Sequence, residues 1–164
     1  MKQRIFIAIN LPLKIKQEFW QIQKKIIKLP VKLVPVENLH ITLIFLGNLW
    51  PEEIENLKPI IQRVGERYTK FEIKLFKICS EKNRLIWAEG EINHDLQRMQ
   101  KELSQKLGLK EQRGFRPHIT LARGQGKIEQ EINLKFKAQS IDIMKSELRR
   151  SGAIYTKLWE YKLK

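Results

Sequence analysis

The sequence has a single cysteine, Cys79, among 164 residues. It can form no internal disulfide and no cysteine-cluster metal site, and a reducing, cytoplasmic setting fits it. No apolar run approaches the ~18 residues of a membrane-spanning helix. The basic start, Met1-Lys2-Gln3-Arg4, leads into five apolar residues, Ile5 to Ile9, and then Asn10-Leu11-Pro12. That segment reads as a buried strand and not as a signal peptide. No Gly/Ser-rich linker, low-complexity tract or basic tail divides the chain. Histidine and threonine are scarce too, three and four residues, so where they stand carries information.

Positive charge is what the chain has in excess. Lys and Arg number 32 against 18 acidic residues, for a net charge of +14 and a pI near 10.0. Residues 1–82 and 83–164 each carry +7, so the field belongs to the folded body. Such a field attracts a polyanionic partner by steering and counterion release. A lysine-rich soluble surface would show the same balance. With 42% hydrophobic and 30% charged residues, the chain can bury a core, and its length suits one domain of two small lobes.

Periodicity supplies the elements. Residues 4–9 read as a first buried strand. Ile15, Phe19, Ile22, Ile26 and Leu29 recur at helical spacing, predicting a helix over 14–29 that Pro30 ends. Short and long strands follow over 31–34 and 39–46. Pro51-Glu52-Glu53 suits the first turn of a second helix with the stripe Ile54, Leu57, Ile61, Val64. Residues 71–75 and 84–90 read as strands. Asn93 is placed to cap a third helix with Leu96, Met99, Leu103 and Leu107 inward and Gly108 as its stop. Residues 115–122 read as a strand, 127–131 as a short helical turn, and 136–144 and 154–163 as closing strands. The class is α+β with antiparallel sheets.

The chemistry lies in a repeat. His40-Ile41-Thr42-Leu43 and His118-Ile119-Thr120-Leu121 are identical tetrapeptides 78 residues apart. Two of three histidines having Thr two places later is a coincidence of about 0.002, evidence of internal duplication. In a strand, residues i and i+2 share a face, so each His and its Thr point one way and the Ile and Leu the other. If the repeats pack about a pseudo-two-fold, both His–Thr pairs line one cleft. Two imidazoles can then serve as general acid and general base on opposite sides of a reacting centre. Two threonine hydroxyls can bind the oxygens of a phosphate between them. A lone H-x-T would more simply be a hydrogen-bonded strand histidine. Zinc would need more ligands than two imidazoles offer. The third histidine, His94, reads as solvated at a helix start.

With these residues in view, the chain resembles the two-histidine phosphoesterase superfamily, named for paired H-x-T-x motifs. Within it, the chain is similar to the bacterial and archaeal RNA 2′,3′-cyclic phosphodiesterases, also called 2′-5′ RNA ligases. The resemblance runs through residues 4–12, Glu37 to Gly47, Phe115-Arg116-Pro117-His118-Ile119-Thr120-Leu121-Ala122-Arg123, Met144 to Leu148 and Gly152 to Tyr155. It implies one bilobal domain: two pseudo-symmetric lobes, each an antiparallel sheet with helices outside, around a central cleft. It also implies metal-free, cofactor-free hydrolysis of a terminal 2′,3′-cyclic phosphate to a 2′-phosphate. Carried over by motif, His40 is the proton donor to the departing 3′ oxygen and His118 the proton acceptor that activates water. Thr42 and Thr120 hold the phosphate. The two motifs are equivalent by inspection, so spacing alone leaves the order of acid and base open.

Four further residues are candidates for binding substrate. Arg123, five after His118, sits where the family has an arginine, but its odd offset puts it on the opposite face of a regular strand. Phe45 has the same offset from His40 and reads first as core packing. Arg116 shares the face of His118 if the strand is regular across Pro117. Tyr155 is a candidate for lining the groove. The partner implied is RNA with 2′,3′-cyclic phosphate ends, tRNA fragments among them, met by a cytoplasmic monomer. Rival readings are a 2′-5′ RNA ligase on tRNA-like ends, hydrolysis of a small cyclic nucleotide, and a non-catalytic RNA-end binder.

Overall fold

The structure is a computed structural model that describes residues 1–110 and 114–164. The chain runs through β1 (Gln3–Asn10), α1 (Leu13–Ile26), β2 (Val31–Leu33), a 3-10 turn (Val36–Asn38) and β3 (His40–Leu49). It continues through α2 (Pro51–Gly65), β4 (Glu72–Glu81), β5 (Leu85–Gly90), α3 (His94–Lys106), β6 (His118–Gly124), β7 (Glu129–Lys137), β8 (Ser140–Arg149) and β9 (Gly152–Lys162). The strands form two antiparallel sheets, ordered β3-β1-β8-β9 and β2-β6-β5-β4-β7. None of the described helices is long and apolar enough to cross a membrane.

Local chemistry places the helices as expected. Asn93 caps α3, its side chain accepting the Leu96 N–H at 2.9 Å. Pro51 opens α2, and the Trp50 N–H donates to the Glu53 carboxylate at 2.7 Å. Three expectations need correction. The first helix ends at Ile26, and Leu29 lies beyond it. Residues 127–131 are no helical turn, because β7 starts at Glu129 as an edge strand on β4. Its inward residues, Ile132, Leu134 and Phe136, begin only after the charged start, so the alternation is hidden there. The apolar stretch 136–144 is two strands: the chain leaves one sheet at Lys137 and enters the other at Ser140.

One arrangement occurs twice. β1, α1 and β3 form a strand–helix–strand unit in which the motif strand β3 pairs with β1; β5, α3 and β6 repeat it. Neither helix is bonded to its own unit's motif strand. Gln23 of α1 donates to the Leu121 carbonyl of β6 at 2.9 Å, and Gln100 of α3 donates to the Leu43 carbonyl of β3 at 3.4 Å. The two lobes are thereby interlocked around one core. That core takes Ile41 and Leu43 from one motif and Ile119 and Leu121 from the other, the inward face expected of the tetrapeptide. β1 is buried on both faces: Ile5, Ile7 and Ile9 join the core, while Phe6 and Ala8 pack with Met144 and Tyr155 in a separate small cluster.

The edge strand β2 pairs with β6, Val31 opposite Gly124. Gly124 has φ +133°, and a Cβ there would lie 2.7 Å from the Pro30 carbonyl oxygen. Gly124→Ala is expected to lower stability by about 1–3 kcal/mol. Urea unfolding checks this: a midpoint equal to wild type at unchanged slope would show that the β2 edge yields freely.

Candidate active site

His40 and His118 each stand at the first position of a motif strand, where the chain turns from an irregular segment into the sheet. Both imidazoles are held by the same device. Nδ1 of His40 lies 2.6 Å from the Asn38 carbonyl and Nδ1 of His118 lies 2.8 Å from the Arg116 carbonyl, two residues back in each case. A carbonyl only accepts, so Nδ1 carries the hydrogen in both rings and Nε2 is left to take or give a proton. Nε2 of His40 is 2.9 Å from the Thr42 hydroxyl.

Aromatic rings fix the imidazole planes. His40 packs against Phe6 at 4.9 Å and edge-on to Tyr155 at 5.2 Å between centroids. His118 lies against Trp87 at 4.2 Å. Burial holds both imidazoles below the ordinary value of 6.5, by disfavouring the cation. For His40 the bond to Asn38 opposes this, while the charges of His118, Lys16 and Arg123 reinforce it. For His118 the bond to the Arg116 carbonyl and the carboxylates Glu81 and Glu89 oppose it, and the Arg116 charge reinforces it.

His40, Thr42, His118 and Thr120 line a single cleft of about 470 Å³ between the sheets. That volume is within the range of small-molecule sites. Arg4, Lys32, Arg123 and Arg149 also line it, and among the described residues no acidic one does. Four cationic side chains thus surround the place where two histidines and two threonines meet.

The geometry answers the offset problem of Arg123. On β6, Ala122 faces Ile86 and Thr120 faces Trp87, so Leu121 is an extra residue in the ladder. On β3, Ile44 faces Ile7 and Thr42 faces Ala8, so Leu43 is extra in the same way. Each motif strand has a β-bulge at the fourth motif residue, and a bulge reverses the alternation beyond it. Leu121 and Ala122 are consecutively buried, as are Leu43 and Ile44. Beyond the bulges, Arg123 and Phe45 both turn into the cleft. Phe45 is therefore not a core residue; it is 69% exposed.

Tyr155 lines the cleft. Arg116 is not among its lining residues. β6 begins at His118, so no regular strand spans Pro117, and the Arg116 guanidinium instead bonds Glu89 at 3.0 Å and lies over the Trp87 ring. His94 is exposed at the start of α3.

Residues 15–147 match the family described as the 2′-5′ RNA ligase superfamily. The chain belongs to that superfamily. It is 34% identical over 178 residues to a protein of Methanocaldococcus jannaschii named RNA 2′,3′-cyclic phosphodiesterase, covering 96% of this chain and 99% of the relative. A protein of the same name from Methanothermobacter thermautotrophicus is 27% identical, covering 99% of this chain and all of the relative. Among solved structures, E. coli LigT complexed with NADP+ superposes with a TM-score of 0.85 at 26% identity, covering 99% of both chains. The α+β fold of two antiparallel sheets is thus shared with E. coli LigT.

Sequence reasoning missed several residues that line the cleft or flank its imidazoles. Phe6 and Trp87 look like any aromatic in an apolar strand, and only the pairing of their strands with β3 and β6 sets them beside the imidazoles. Arg4, Lys32 and Arg149 carry no local signal, because they come from three separate strands. Asn38 and Arg116, which hold the rings through their carbonyls, could have been found by looking two residues before each His.

Proposed function

We propose that this chain is an RNA 2′,3′-cyclic phosphodiesterase, hydrolysing a terminal 2′,3′-cyclic phosphate to a 2′-phosphate. The observation that carries the reading is two His–Thr pairs, each imidazole held through Nδ1 by a backbone carbonyl, in one cleft lined by cations and, among the described residues, by no carboxylate. The names of the archaeal relatives support it.

In this reading His118 Nε2 takes a proton from water, and the water oxygen attacks phosphorus. The bond from phosphorus to the 3′ oxygen breaks, and His40 Nε2 supplies the proton that this oxygen needs. Thr42, Thr120 and the Arg123 guanidinium hold the non-bridging oxygens, where charge accumulates in the transition state. Phe45 and Tyr155 offer faces to the terminal nucleoside, and the cationic rim takes the RNA backbone. Acid, base and anion stabilisation are all provided by side chains. The donor set also argues against a metal: among the described residues no three His, Cys, Asp or Glu come close enough to hold one. With a 5′ hydroxyl in place of water, the same step would form a 2′-5′ linkage.

The test is incubation with an oligoribonucleotide ending in 2′,3′-cyclic phosphate, with EDTA present, and identification of the product end by mass and phosphorus NMR. A 2′-phosphate formed at the chelator-free rate is expected. A 3′-phosphate, no turnover, or turnover lost in EDTA and restored by zinc or manganese would overturn the reading.

A further inference from the structure

Both bulges are held from behind by a buried glutamine. Gln23 on α1 is fully buried and donates through Nε2 to two carbonyls, Val34 at 2.7 Å and Leu121, the bulge residue, at 2.9 Å. The Leu121 carbonyl also accepts the Val34 N–H at 2.9 Å. Gln100 on α3 is buried too and reaches the bulge carbonyl of Leu43. The two glutamines stand at matching places, seventeen residues before His40 and eighteen before His118.

An amide is a costly choice at these positions. Each glutamine stands among apolar residues on the inward side of its helix, where leucine would bury without loss. The Oε1 of Gln23 is buried with no hydrogen-bond partner among the described residues, so the site accepts an unsatisfied acceptor to keep the Nε2 donor. The bulge residue's carbonyl is what that donor secures, and the bulge is what turns Arg123 from the core face to the cleft.

We infer that Gln23 is a positioning residue for the phosphate site: by clamping the Leu121 carbonyl to the Val34 carbonyl from α1, it fixes the β6 bulge that aims Arg123 into the cleft. Gln100 does the same for Phe45 through Leu43. The effect on catalysis rests on the phosphodiesterase reading; the effect on geometry does not.

Two measurements test it. The first is the crystal structure of Gln23→Leu, in which the β5–β6 register shift is expected to be lost or moved and Arg123 to leave the cleft lining. An unchanged bulge with Arg123 in place would overturn the inference, whether or not the protein turns over cyclic phosphate. The second is a double-mutant cycle on kcat/KM for a cyclic-phosphate-ended oligoribonucleotide. Arg123→Ala should cost about 10–100-fold, the scale of one charge-assisted contact, and Gln23→Leu about tenfold. Combined, they should cost no more than Arg123→Ala alone, whereas Gln100→Leu should add its loss in full. A Gln23→Leu loss that persists undiminished in the Arg123→Ala background would mark a general structural effect. If Gln23→Leu does not fold, Gln23→Met, unbranched and without donors, takes its place in both measurements. Absence of wild-type turnover would sink the phosphodiesterase reading while leaving the crystallographic outcome to decide the clamp.

Discussion

His40→Ala and His118→Ala are each expected to lower cyclic phosphodiesterase turnover by about 10²–10⁴-fold, the contribution of one positioned acid or base. The residual rate should come from the threonines and Arg123, which still gather charge around phosphorus. The double variant should fall little further than the worse single variant, because acid and base act as one unit. Folding should survive both changes. Each imidazole is only half-buried at the start of its strand, and neither is part of the main apolar core. The two histidines also make stability depend on pH. Both groups titrate below 6.5 in the folded chain, so the unfolded chain binds more protons as pH falls through 6.5, and wild-type stability declines there. Each alanine variant lacks one such group and should lose less over that window. Thermal unfolding across that range, beside turnover at fixed pH, separates the two effects. A single variant that kept near wild-type turnover would end the two-histidine mechanism.

The tetrapeptide repeat made the centre of this site legible, because chemistry and strand geometry both depend on a two-residue spacing that sequence displays directly. Its Ile and Leu face the core and its His and Thr the cleft. Two helix starts were legible for the same reason: Asn93 and Pro51 act on immediate neighbours, whereas α1 ends at Ile26, short of Pro30. What could not be read was whatever depends on register. A bulge adds one residue to a ladder without changing composition, so Arg123 and Phe45 looked misdirected until the pairing of β6 with β5 and β3 with β1 was known. Arg116 erred the other way, since strand regularity was extrapolated across Pro117 into a segment outside the ladder. The exchange of α1 and α3 between lobes left no trace in their apolar stripes, which state that a face is buried and not against what. Gln23 and Gln100 interrupt those stripes as polar residues in buried positions.

The pH profile should show the largest displacement from ordinary imidazole behaviour. One histidine must be neutral to accept a proton from water while the other is protonated to supply the 3′ oxygen, so kcat/KM should be bell-shaped. Limbs near about 6 to 7.5 would follow from unperturbed imidazoles. The structure moves both downward: burial disfavours each cation, so the optimum of kcat/KM, which reports the free protein, should lie below pH 6.5. Bound substrate reverses the direction. One phosphodiester charge ~4 Å from an imidazolium is worth about 4 kcal/mol at an effective dielectric of 20. That far exceeds the ~1.4 kcal/mol of one pKa unit. The kcat profile should therefore sit higher than the kcat/KM profile by about one unit or more, with the limbs belonging to the coupled pair. The roles can be separated as well. In the free protein the charges of His118, Lys16 and Arg123 oppose the His40 cation, and at His118 the Arg116 charge opposes the cation while Glu81 and Glu89 favour it. If His40 is the donor, His40→Ala removes the alkaline limb from the residual kcat profile and His118→Ala the acidic one. The reverse pattern would exchange the two roles, and a full bell in both variants would exclude these imidazoles as the titrating pair.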